Sequence, residues 1–243
     1  MYALFLKEIR SFFNSLIGYI TVTIFLLSTG LFMWVFSGLS NVFEQQIASL
    51  EPLFYNAPII LMFIVPAITM KSFAEEKRTG TIELLLTKPI TDIQILLGKF
   101  LAGFFIIFIG LLPTLIYYAS IYTMGDPPGN IDNGGTVGGY IGLFFISAIF
   151  VAIGVFCSAC TKNQVISFLF AFVLCFLFYQ GFSLAGTYSW FGTADSMVQN
   201  IGISTHYAAL QKGVLDTRDL SYFITMIVSF LTFTWLILQA RKW

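Results

Sequence analysis

Little in this sequence is equipped for covalent chemistry. Cys157 and Cys160 form a CxxC pair, and Cys175 is the only other cysteine. A redox CxxC works from a helix N-terminus with an accessible, acidified thiol. This pair lies inside an apolar run, where a free cysteine acts as a small buried hydrophobe. His206 is the single histidine, so a His-rich metal site is excluded. Neither HExxH nor GxSxG occurs, which removes the zinc-protease helix and the nucleophile elbow. Gly98-Lys99 lacks the upstream glycine and the following Ser or Thr of a phosphate-binding loop. No catalytic, cofactor-binding or metal-binding residue is therefore assigned. What remains is charge, and its densest group falls between Lys71 and Lys99.

The elements that position those charges are membrane helices. Hydrophobic residues make up 58% of the chain and charged residues 10%, against about 45–50% and about 25% in soluble domains. Disorder needs the opposite balance. A net charge of zero speaks against a nucleic-acid binder, which carries a basic patch. Charge-free runs cover 11–43, 52–70, 100–125, 133–161, 163–194 and 220–240. A helix of about 20 apolar residues crosses the hydrocarbon core. The fold expected is an all-α integral membrane protein with six transmembrane helices, over about 16–39, 56–71, 100–124, 139–160, 164–186 and 220–240. The whole chain, 1–243, reads as one domain. The first apolar run is too long for a cleaved signal peptide and no A-x-A-like site follows it, so it is expected to stay as an anchor.

Six spans place both termini on one side. With that side cytoplasmic, Lys7, Arg10, Lys71, Lys77, Arg78, Lys88, Lys99, Lys162, Arg241 and Lys242 lie inside, ten of the twelve cations. Cytoplasmic loops retain Lys and Arg, so both termini are expected in the cytoplasm. Residues 1–15 read as an amphipathic helix, with Tyr2, Phe5, Ile9, Phe12 and Leu16 on one face and Lys7, Arg10, Ser11 and Asn14 on the other. Such a helix lies in the membrane interface, either as a working element or as a plain topological anchor.

Residues 72–99 form a cytoplasmic elbow between helices 2 and 3. Gly80 can N-cap a short crosspiece, roughly 81–88, with Glu83 at its third position and Pro89 ending it. Thr91 and Gln94 spell a capping box for the helix that follows. On the far side, 187–219 is the largest extracytoplasmic segment, with a short helix around THYAALQKG and Asp216 as a cap before the last span. Gly138 and Gly142 make a GxxxG pair that permits close helix approach. The spans contain no Asp, Glu, Lys, Arg or His, which speaks against a self-powered ion-coupled transporter. Their hydroxyls and amides, Thr29, Ser147, Gln180, Thr225 and Thr232 among them, are expected to hydrogen-bond between helices.

Three stretches carry a family resemblance: KEIRSFFNSLIGYI from Lys7, EEKRTGTIELLLTKPITDIQILLGK from Glu75, and STHYAALQKGVLDTRDLSYF from Ser204. With six spans, they resemble the permease subunit of an ABC-2 type ABC transporter, within it the gliding-motility-associated permease of Bacteroidetes. The resemblance implies that the N-terminal helix, with Lys7, Glu8 and Arg10, is the interface helix. It implies that the elbow is a coupling helix docking on a separate ATPase through Glu75, Glu76, Lys77, Arg78, Thr79, Gly80, Thr81, Glu83 and Pro89. The chain itself would bind no cofactor and would not be an enzyme; ATP and Mg would sit on the partner ATPase. The implied partners are a cytoplasmic ABC ATPase dimer, a second permease half (another copy, or a companion subunit with an extracytoplasmic domain) and membrane lipid, with no nucleic acid. The implied location is the bacterial inner membrane, multi-pass. A self-standing secondary transporter or a passive membrane scaffold is the alternative.

Overall fold

Helix starts are set by side chains at the right offsets. In the computed structural model, which describes residues 1–38, 40–81, 90–188 and 195–240, the Gln94 amide donates to Thr91 Oγ1 and the Thr91 amide to Gln94 Oε1, each at 3.3 Å. This closes the expected capping box and opens the helix Asp92–Leu111. Ser15 accepts from the Gly18 amide at 3.3 Å and opens Leu16–Trp34. Asp132 caps Asn133–Cys160, Asn163 caps Gln164–Phe176, and Asp216 caps Thr217–Gln239. Each cap pairs an amide that the helix leaves orphaned.

Every regular element among the described residues is helical. Five runs are long and apolar enough to cross a membrane: Glu51–Thr79, Asp92–Met124, Asn133–Cys160, Gln164–Thr187 and Thr217–Gln239. A sixth candidate is the pair Tyr2–Phe13 and Gly18–Trp34, which meet at 69°. Counting Leu16–Trp34 as span one, the others are spans two to six. Several boundaries differ from expectation: span one ends at Trp34 rather than near 39, and span two begins at Glu51 rather than near 56. Span two does not stop near Met70; its helix continues as a stalk, Lys71–Thr79. Span four starts at Asn133 rather than near 139. The Asp132 cap overrides the poor helix propensity of Gly134 and Gly135.

Span four is the centre. Of its most apolar stretch 78% is buried, against 22% in span five and 17% in span six, so the last two present broad apolar faces outward. Spans two, three, five and six all touch it. Edge-to-face and stacked rings join it to span six, Phe156 to Phe230 at 5.8 Å and Phe145 to Phe223 at 5.5 Å.

The GxxxG pair is used, but not against another span. A Cβ on Gly138 would strike the Leu210 carbonyl oxygen, and one on Gly142 would strike the Tyr207 ring. The helix Ile203–Gln211 therefore lies directly on the backbone of span four, burying Ile203, Tyr207 and Leu210. It also meets a need of span two. Pro58 has no N–H, so the Phe54 carbonyl four residues earlier has no helical donor. Tyr207 Oη and Gln211 Nε2 both donate to that carbonyl at 3.1 Å. Burial pushes the Tyr207 phenol well above its usual pKa, which keeps it a donor.

The intramembrane hydroxyls do not mainly bridge helices. Thr29 donates to the Phe25 carbonyl, Ser147 to Leu143, Thr225 to Ser221 and Thr232 to Val228. Bonding four residues back satisfies a hydroxyl without a second helix, which is why a polar residue in an apolar run need not mark a contact. Replacing Gly142 with Leu is expected to displace the helix Ile203–Gln211 and lower the thermal midpoint of the purified protein. A control Gly110→Ala, whose new Cβ meets only Val22 Cγ2 at 3.8 Å, should leave it unchanged.

Candidate functional site

Charge gathers where the N-terminal helix (Tyr2–Phe13), the stalk, and one end each of spans three and four meet. Because Thr91 fixes the start of its helix, Lys99 stands two turns inside it, with a side chain only 1% exposed. A buried ammonium is tolerable when its donors are used. Lys99 Nζ donates to the Ser72 carbonyl at 2.6 Å, to Glu76 Oε1 at 2.9 Å and to Glu8 Oε1 at 3.1 Å. The Phe73 ring lies 5.0 Å away, a cation–π contact. Three elements are thereby held by one nitrogen.

This pairing sets the rotation of the N-terminal helix. The expected apolar face was centred on Tyr2, Phe5, Ile9, Phe12 and Leu16. The structure instead turns Leu4 and Glu8 inward, while Tyr2 and Leu16 stay outward. Leu4 seats on Gly98, where an added Cβ would lie 3.2 Å from Leu4 Cδ2. Phe5 meets Phe105 with centroids 5.7 Å apart. Lys7 sits at the rim, 3.7 Å from Glu76 Oε1. Arg10 stands exposed in the last turn of the helix, where a cation suits the helix dipole.

The end of span four grips the stalk from the other side. Ser158 Oγ accepts from the Phe73 and Ala74 amides at 2.9 and 3.0 Å and donates to the Met70 carbonyl at 3.0 Å. A hydroxyl from another helix is thus inserted into the hydrogen-bond ladder of span two, a recognised site of helix bending. Next to it, Lys77 is buried and donates to the Ala159 carbonyl. That carbonyl belongs to the last turn of its helix, which lacks internal donors.

The elbow residues therefore divide. Glu76 and Lys77 point into the bundle and Glu75 is half-buried, whereas Arg78, Thr79, Gly80 and Thr81 are exposed. Gly80 closes the stalk, with φ 72° in the left-handed region that glycine adopts at helix ends; Thr81 beyond it is again helical, and the rest of the crosspiece that Gly80 is expected to N-cap lies outside the described residues. Thr79 Oγ1 donates to the Glu75 carbonyl at 2.9 Å and lies 2.9 Å from Thr81 Oγ1. Glu83 and Pro89, with most of the 81–88 crosspiece, fall outside the described residues, as do Arg241 and Lys242. Ser158, Ser72 and Phe73 were not anticipated as site residues. For Lys99 the capping box already held a signal, since it places that lysine well inside a helix.

An open cleft of about 490 Å³ lies between the N-terminal helix, the stalk and spans two and three. Its lining combines charged residues, Lys7, Lys71 and Glu75, with apolar ones, Ile68, Ile106 and Val155. Among the described residues no group of His, Cys, Asp and Glu is arranged to hold a metal. Cys157 and Cys175 are buried free thiols, and Cys160 is exposed at the end of span four.

Fold and site together define a polytopic helical membrane protein with a charged elbow tied into its bundle, the class of a membrane transport subunit. The chain belongs to the ABC-2 transporter family: the profile described as ABC-2 family transporter protein matches residues 2–240. No curated protein matches the chain.

Replacing Lys99 with Met would leave Glu8 and Glu76 half-buried without their shared cation. Breaking one partner of such a pair costs about 3–5 kcal/mol, and a markedly lower unfolding temperature is expected. Lys99→Met combined with Glu8→Gln and Glu76→Gln should recover part of the loss, since no unpaired charge remains; thermal unfolding of both variants in the same detergent checks this.

Proposed function

We propose that this chain is the membrane half of an ATP-driven transporter and receives force at the exposed end of its stalk. The observation that carries the reading is the division of the elbow. Arg78, Thr79, Gly80 and Thr81 face outward while Lys77, Glu76 and Lys99 bind the same short helix to span four and to the N-terminal helix. A rigid outward tip on an anchored stalk is what a coupling element needs. Membership of the ABC-2 family implies an ATPase partner. The segment that follows Lys77, from Arg78 to Pro89 and with Glu83, would dock in a groove on a cytoplasmic ABC ATPase dimer that holds ATP and Mg.

In this reading both termini and the charged end face the cytoplasm of a bacterium, and the chain sits in the inner membrane. The N-terminal helix, through Lys7, Glu8 and Arg10, acts as the interface helix. The broad outward faces of spans five and six supply surface for lipid and for a second permease half, either another copy or a companion subunit with an extracytoplasmic domain. The resemblance of the Glu75–Lys99 stretch to gliding-associated permeases supports a role in gliding motility, as export or as force transmitted across the membrane.

The test is co-purification with a candidate ATPase and measurement of its stimulation. Arg78→Glu reverses an exposed charge, and Gly80→Pro forbids the positive φ. Each is expected to cut stimulated ATPase activity several-fold while leaving the permease monodisperse. Stimulation that survives both changes, and Glu83→Arg as well, removes the coupling assignment.

A further inference from the structure

We propose that the cleft beside the stalk binds the headgroup of a phosphatidylethanolamine-type lipid, with its phosphate against Lys71 and Lys7 and its ammonium against Glu75. Lys71 and Glu75 stand one helical turn apart on the stalk and so share a face. Both line the cleft, and neither has an ion-pair partner among the described residues. Lys7 is 60% exposed at its side chain and lies 3.7 Å from a carboxylate oxygen that Lys99 already holds at 2.9 Å. The cleft thus offers unspent charge of both signs within one small volume.

That pattern selects the ligand. A purely anionic headgroup would meet Lys71 but face Glu75 with like charge. A phosphocholine carries the right charges but no N–H, so it cannot donate to Glu75. An ethanolamine phosphate supplies three ammonium donors and an anionic acceptor. The cleft is also lined by Ile68, Ile106 and Val155, which suits the glycerol and the first methylenes rather than water. A volume of about 490 Å³ holds a headgroup and chain start, with the remaining acyl length left in the bilayer. The proposal rests on the reading above that the N-terminal helix lies at headgroup level.

Native mass spectrometry of the full chain, released from mixed micelles of equal phosphatidylethanolamine, phosphatidylcholine and phosphatidylglycerol, tests it. Preferential retention of phosphatidylethanolamine is expected, reduced about tenfold by Lys71→Glu and by Glu75→Gln, the scale of one lost charge-assisted contact. Equal retention of the three lipids on the unaltered chain overturns the proposal whether or not the variants fold. So does phosphatidylethanolamine retention that neither substitution changes. Free phosphoethanolamine that competes as well as dihexanoyl phosphatidylethanolamine overturns the lipid assignment in favour of a soluble ligand. None of these readouts involves nucleotide or an ATPase, so their failure is separable from failure of the coupling role.

Discussion

An ammonium group buried two turns inside a helix is the condition on which this end of the molecule is built. Lys99 has three donors, and each must find an acceptor because water cannot reach it. The acceptors come from three places: Glu8 on the N-terminal helix, Glu76 on the stalk, and the Ser72 carbonyl beside it. The geometry of the elbow follows. The N-terminal helix rotates to bring Glu8 inward at the expense of its most obvious apolar face. The stalk continues as helix beyond the apolar run of span two because Glu76 and Lys77 have partners in the bundle. The exposed tip begins at Arg78.

The same requirement, that no backbone or side-chain polar group stays unpaired in an apolar medium, orders the opposite end. Pro58 frees the Phe54 carbonyl within span two. The helix Ile203–Gln211 answers with Tyr207 and Gln211, and the glycines of span four let it come near enough to do so. Span four is therefore tied at both of its ends, to the stalk through Ser158 and to the helix Ile203–Gln211 through its glycine face. Spans five and six carry fewer such ties and leave more surface free.

Much of this was legible in the residues. Caps at Thr91 and Asp216 are local chemistry, and local chemistry survives into the fold. The apolar runs located the spans because a charge in the hydrocarbon core is costly. What was not legible depended on contacts distant in sequence. That the chain stays helical as far as Gly80 follows from the pairing of Glu76 and Lys77 with residues 23 and 82 positions away. Ser158 looked like any small residue in an apolar run. Charge pattern placed Lys77 among exposed elbow cations, yet its partner, the Ala159 carbonyl, carries no sequence signal at all. The expected start of span four near 139 also fell short of Gly134 and Gly135, where one aspartate cap outweighs a run of glycines.

The inserted hydroxyl of Ser158 has a mechanical meaning. Between Met70 and Ala74 the axial stiffness of span two does not come from its own backbone but from a side chain borrowed from span four. A load applied at the tip of the stalk is therefore shared between two spans at the first turn it reaches, and the more buried of the two takes it to the centre of the bundle.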